Sequence, residues 1–169
     1  RSRIQPTIGS PGECFETNVI GTQRVLEWSR MAGVKRIIYS GTSSLYGHQN
    51  KIPFTPNMPS DCLNPYSMSK WMGEQVCKLY AQLYDMQTIV LRYFNVYGPR
   101  MDMHGTYTEV MIRWMEKLYQ NEVPIIFGDG TDTMDFVHVE DIAKANILAL
   151  LSDVSDIAFN IGTGVETSL

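Results

Sequence analysis

Apolar positions recur along this chain with two periods. Phe15, Val19, Thr22 and Leu26, with Val25 and Trp28 beside them, have the three- and four-residue spacing of one helical face. The pattern predicts a helix from about residue 12 that stops at Ala32-Gly33, where a glycine can take the left-handed C-cap conformation. A short β-rich run over 35–40 follows and ends at a Gly41-Thr42 turn. Helix then strand is repeated: 65–84 reads as a helix with Val76, Leu79, Tyr80 and Leu83 on its inner stripe, and 87–93 as a strand. Between them 50–63 is a loop rich in proline and polar residues, long enough to be functional. Further on, 107–121 reads as an amphipathic helix, 125–127 as a short strand, 135–139 as extended, 140–151 as a helix and 157–161 as a final strand. A further helix is expected to begin at 166–169.

Such alternation predicts an α/β fold, a parallel sheet with helices on both faces. In an open sheet of this kind ligands bind at the carboxyl ends of the strands, and Thr42 and Asn95 both fall at such ends. With 169 residues, 44% of them hydrophobic, the chain has enough apolar content for one core and too little length for two domains.

A net charge of −4 gives no footprint for nucleic acid. Cys14, Cys62 and Cys77 are odd in number and lack C-x-x-C spacing, which argues against a disulfide framework and a zinc site and favours a reducing cytoplasm. No window approaches 18 continuous apolar residues, and the stretch from Arg1 to Pro6 lacks the apolar centre of a signal peptide, so membrane insertion and secretion are not expected. His48, His104 and His138 have no second ligand at metal spacing, so no metal is expected and His138 reads as structural.

The candidate chemistry lies at the start of the second long helix. Pro65 suits a first helical position, and Tyr66 and Lys70, four apart, then project from one face. A cation held beside a phenol favours the phenolate and brings it towards use as a base. On spacing alone a surface pair of helix residues reads equally well.

The wider set of segments is more specific. Asn18-Val19-Ile20-Gly21-Thr22, Ser40-Gly41-Thr42 with Leu45-Tyr46-Gly47, Pro65-Tyr66-Ser67-x-Ser69-Lys70, Leu91 through Pro99, and Asp135-Phe136-Val137-His138-Val139 resemble, in order and over nearly the whole chain, the extended short-chain dehydrogenase/reductases, specifically the NAD-dependent nucleotide-sugar epimerases and dehydratases. The resemblance implies a Rossmann-like fold of which residues 1–169 form the middle and later portion as a single unit. A glycine-rich first βαβ part would precede them and a C-terminal part would follow. Gly128-Asp129-Gly130 and Gly162-Thr163-Gly164 do not supply that glycine-rich turn, since Thr133 and Thr167 stand where a third small residue is needed; both read as ordinary turns.

By the same resemblance Tyr66 is the general acid and base on a sugar hydroxyl, Thr42 bonds the reacting oxygen, and Lys70 binds the nicotinamide ribose and lowers the Tyr66 pKa. Asn18, Ser40 and Gly41 match positions lining NAD, and Tyr93 and Phe94 match residues packed beside its nicotinamide. Asn95 and Val110 match substrate-binding positions, within substrate segments spanning about 95–135. For Asn18 and Ser40 plain hydrogen bonding to nearby backbone is the other reading, and for the two aromatics core packing.

Two departures bear on the reaction. Dehydratases of the family carry an acidic pair just after the position of Thr42, because eliminating water needs a further acid and base; here the pair is Ser43-Ser44. Met134 stands where many relatives have an arginine for a substrate phosphate, a role for which Arg100, Arg113 or an arginine of the expected C-terminal part is a candidate. The expectation is an NAD-dependent 4-epimerase of a UDP-sugar, homodimeric when complete, passing through a transient 4-keto sugar. A dehydratase or an NAD(P)-dependent reductase is the alternative within the family, and a non-catalytic scaffold the alternative outside enzymes.

Overall fold

The structure, a computed structural model, describes residues 1–102, 110–126 and 128–168. His104, residues 107–109 of the helix expected over 107–121, and Phe127 of the strand expected over 125–127 lie outside them.

Two short helices, α1 (Ile4–Gly9) and α2 (Pro11–Phe15), open the chain where a proline- and glycine-rich loop is the sequence reading. Pro6 falls in the first turn of α1 and Pro11 at the start of α2, places where a missing backbone N–H breaks no helical bond. From α2 the helix runs on through a π-helical turn (Glu16–Ile20) into α3 (Gly21–Met31). It ends in a Schellman motif: Gly33 has φ +73, its N–H donates to Arg30 O at 3.1 Å, and Val34 N–H donates to Ser29 O at 2.9 Å.

The main sheet is parallel in the order β1-β2-β6, formed by β1 (Arg36–Thr42), β2 (Gln87–Tyr93) and β6 (Ile157–Ile161). Gly41 and Thr42 belong to β1, in register with Arg92 and Tyr93, so the turn comes directly after them rather than at them, as a 3₁₀ turn over Ser43–Tyr46. Its start is capped by Thr42, whose side chain accepts from Ser44 N.

Helix α4 (Pro65–Tyr84) has the boundaries its sequence predicts. Asn64 Oδ1 accepts from Ser67 N at 2.9 Å and Ser67 Oγ accepts from Asn64 N at 3.4 Å, a reciprocal cap in front of Pro65. Its inward face differs from the expected stripe. Ser69, Gly73, Cys77 and Tyr80 are buried, whereas Leu79 and Leu83 are exposed. Small residues let α4 approach closely: a Cβ at Gly73 would overlap the Tyr39 hydroxyl.

Alternation along the strands makes two cores. Tyr39 and Val90 pack with Leu26 of α3 and Cys77 and Tyr80 of α4 on one face. Ile89 and Leu91 pack on the other face with Ala149 of α6 (Val139–Leu151), joined by Ile38 and Phe159.

Two smaller strand pairings have no local signal in the sequence. β3 (Asn95–Tyr97) pairs in parallel with β5 (Phe136–His138), while β4 (Thr133–Met134) pairs antiparallel with β7 (Thr167–Ser168), where a helix start is the sequence reading. Residues 122–126 form no strand. The amphipathic helix is α5 (Val110–Tyr119).

The two glycine-containing turns are turns here. Asp129 Oδ1 accepts from Thr131 N at 3.0 Å, and the Asp135 carboxylate accepts from Thr163 N and Gly164 N, each at 2.8 Å. His138 has a structural place: its Nδ1 accepts from Glu140 N at 3.4 Å to cap α6, and its ring meets Tyr97 edge-on at 5.3 Å.

Candidate active site

Beyond the carboxyl ends of β1 and β2 lies a cavity of about 830 Å³, in the size range of small-molecule sites. Thr42 and Tyr93, the last residues of those two strands, both line it. So do Gly41, Phe94, Asn95, Tyr66 from the first turn of α4 and Val110 from the start of α5. Seven of the ten expected site residues therefore line one cavity. Asn18, Ser40 and Lys70 do not line it.

Thr42 is buried, and its hydroxyl is held in place by the turn it caps: Oγ accepts from Ser44 N and donates to Ser44 Oγ, each at 3.2 Å. Lys70 stands one helical turn beyond Tyr66 on the same face. Its ammonium lies over the Tyr39 ring at 4.7 Å from the centroid, and burial lowers its pKa. No carboxylate pairs with it among the described residues. The Tyr39 hydroxyl donates to the carbonyl of Lys70 at 3.1 Å, and burial pushes that phenol above its ordinary range, so Tyr39 serves as a neutral platform.

The other two residues outside the cavity are tied to its walls. Asn18 sits in the π-helical turn and donates through Nδ2 to Ser69 Oγ at 2.9 Å, while Ser69 in turn donates to the Tyr66 carbonyl at 2.8 Å. Its Oδ1 accepts from the amino group of Arg1 at 2.8 Å. Ser40 Oγ lies 3.3 Å from the Tyr93 hydroxyl, which also bonds Asn146 of α6 at 2.9 Å. Asn95 is anchored through Nδ2 to Asp135 O at 3.1 Å.

Sequence reasoning missed the charge pattern of the cavity. Arg3, Arg113 and Lys117 line it and, among the described residues, no carboxylate does, in a chain with 18 acidic and 14 basic residues. Arg3 pairs with Asp102 at 3.3 Å and Lys117 with Glu122. Met134 lines the wall too, and of the two arginines considered as replacements for one at that position, Arg113 reaches the cavity and Arg100 does not.

The model of the NAD dependent epimerase/dehydratase family matches residues 1–162. The chain belongs to that family. It is 37% identical over 166 residues to a UDP-glucose 4-epimerase of Mycolicibacterium smegmatis, covering 98% of this chain and 53% of that protein. Its fold matches the UDP-glucose 4-epimerase of Thermotoga maritima, solved with UDP-glucose, at a TM-score of 0.90 and 36% identity, over 96% of this chain and 52% of that one. It matches the UDP-N-acetylglucosamine 4-epimerase of Methanobrevibacter ruminantium M1, solved with UDP-N-acetylmuramic acid, at a TM-score of 0.94 and 28% identity, over 98% of this chain and 53% of that one. The chain thus spans about half the length of the relatives it matches. The expected Rossmann-like parallel sheet holds for the part of the fold it covers.

Proposed function

We propose that this chain carries the catalytic centre of an NAD-dependent nucleotide-sugar epimerase, inverting C4 of a UDP-sugar. The observation that carries the reading is the convergence of Thr42 and Tyr66, from a strand end and a helix start, on one cavity with the Lys70 cation a turn behind. The residues fit a nicotinamide cofactor: a half-buried cation on an aromatic face without a carboxylate partner among the described residues, beside a wall made by Tyr93 and Phe94. NAD, when bound, supplies the reversible two-electron oxidation of the sugar carbon. Tyr66 takes the proton from the C4 hydroxyl and later returns it, and Thr42 hydrogen-bonds the same oxygen. Lys70 holds the ribose and favours the phenolate electrostatically. Asn18, Ser40 and Gly41 belong to the cofactor side, with Asn18 and Ser40 acting through Ser69 and Tyr93.

Asn95, Val110 and the cations Arg3 and Arg113 face the nucleotide diphosphate, with Arg113 taking the place of an arginine at 134. On this reading residues 1–169 act as one unit, with the substrate segments within about 95–135. The Ser43-Ser44 pair supplies no acid for loss of water, which favours epimerisation. Product analysis of the complete protein with UDP-glucose and other UDP-sugars should show the C4 epimer without net NADH; a 4-keto-6-deoxy product would assign a dehydratase instead.

The complete protein is proposed to be a homodimer. Val25 and Trp28 on α3 and Met72, Leu79 and Leu83 on α4 leave a wide exposed apolar face. Sedimentation velocity should give a dimer, and Leu79→Glu with Trp28→Glu should shift it to monomer; a wild-type monomer at micromolar concentration would contradict this. A cytoplasmic setting suits the three free thiols, and an oxidised cysteine pair in freshly isolated protein would argue against it.

A further inference from the structure

Beneath the cavity floor lies a buried polar network with no part in proton transfer. Arg92 of β2 and Glu74 of α4 are 6% and 7% exposed, and the guanidinium donates to both carboxylate oxygens at 3.0 and 2.5 Å. Its remaining nitrogen donates to the Tyr46 hydroxyl at 2.8 Å and to Pro56 O at 2.9 Å. Tyr46, fully buried, donates in turn to Asn160 Oδ1 of β6 at 2.6 Å, and Asn160 Nδ2 donates to Phe54 O at 2.9 Å. The Tyr46 ring also stacks on Phe54 at 4.8 Å.

A buried ion pair gains little over apolar packing of the same volume, so stability alone is a weak reason for this arrangement. What it supplies is direction. An apolar contact would hold α4 to the sheet without fixing where the 3₁₀ turn sits along the strand ends, whereas the planar guanidinium fork and the two-bonded phenol fix it. Tyr46 is the last residue of that turn, and Ser44, whose N–H and hydroxyl hold the Thr42 Oγ, is two residues earlier. Glu74 stands two turns beyond Tyr66 and one beyond Lys70 on the same helix.

We infer that the Glu74–Arg92–Tyr46–Asn160 network sets the position of the Thr42-bearing turn relative to the Tyr66-bearing helix, so that Tyr46 is a positioning residue of the active site. The inference rests on the roles proposed above for Thr42 and Tyr66. Tyr46→Phe keeps the ring and its stacking and removes the oxygen that Arg92 and Asn160 hold. Displacing a catalytic group by about 1 Å costs on the order of 10² in rate, so kcat of the complete enzyme should fall about 10- to 100-fold, with NAD affinity within about twofold of wild type. Assays are run well below the melting temperature, with near-ultraviolet dichroism as a check on the fold. In a Thr42→Ala background the same change should cost nothing further, because the group it positions is gone. A folded Tyr46→Phe enzyme with wild-type kcat overturns the inference, and so does an equal loss in both backgrounds. If Thr42→Ala alone leaves kcat unchanged, the assignment of Thr42 fails first and the inference with it.

Discussion

Arg92→Met should destabilise the protein by about 3–5 kcal/mol, the range for removing one partner of a buried ion pair. Methionine fills much of the volume but leaves the Glu74 carboxylate in a site that is 7% exposed, without its two charged donors. Tyr46 and the Pro56 carbonyl lose a donor at the same time. Urea unfolding of wild type and variant, compared through midpoint and slope, measures the loss. The double variant Glu74→Leu/Arg92→Met should recover most of it, because two apolar side chains leave no charge to bury. A single variant as stable as wild type would mean that water reaches the pair and that it is not the tight network described.

Where the sequence was legible, a local signal coincided with the tertiary arrangement. Pro65 marks the start of α4 and Gly33 the end of α3, because helix ends depend only on neighbours a turn away. The alternation of helix and strand implied the parallel order of β1 and β2 for the same reason. Burial on α4 was less legible. Leu79 and Leu83 have the same periodicity whether they face a core or a partner, and the face that packs is made of Ser69, Gly73 and Cys77, which hydrophobic patterning underweights. Strands β3 and β5 pair across about 40 residues, and no local pattern reports such a partner.

The site divides in the same way. Thr42 and Asn95 fall at strand ends, where ligands gather, and helical spacing puts Tyr66 and Lys70 on one face, but Tyr93 and the roles of Tyr66 and Lys70 came from the family resemblance. Arg113 was one of two arginines considered for the phosphate role, but Arg3 and Lys117 gave no signal, since a cation facing a cavity and one facing solvent look alike in sequence. Arg92 did carry a signal: a charged residue in the middle of an apolar strand run must have a partner, although the identity of Glu74 needs the fold.

Tyr66→Phe tests the catalytic reading itself. The change keeps the ring at the first turn of α4 and its packing on the cavity wall, and removes only the ionisable oxygen. General acid and base groups contribute about 10² to 10⁴ in rate, so kcat of the complete enzyme should fall within that range while NAD stays bound. Lys70→Met is expected to differ. It removes the cation over the Tyr39 ring and, on the proposed reading, a ribose ligand, so cofactor affinity weakens along with rate. Were Tyr66 and Lys70 a surface pair, breaking it would cost at most about 1 kcal/mol of stability and leave turnover alone. The deciding measurement is the kcat of Tyr66→Phe for interconversion of the C4-epimeric UDP-sugars, with NAD affinity determined on the same sample: a loss of at least about 100-fold with NAD affinity unchanged is the expected result, and wild-type turnover would contradict the account.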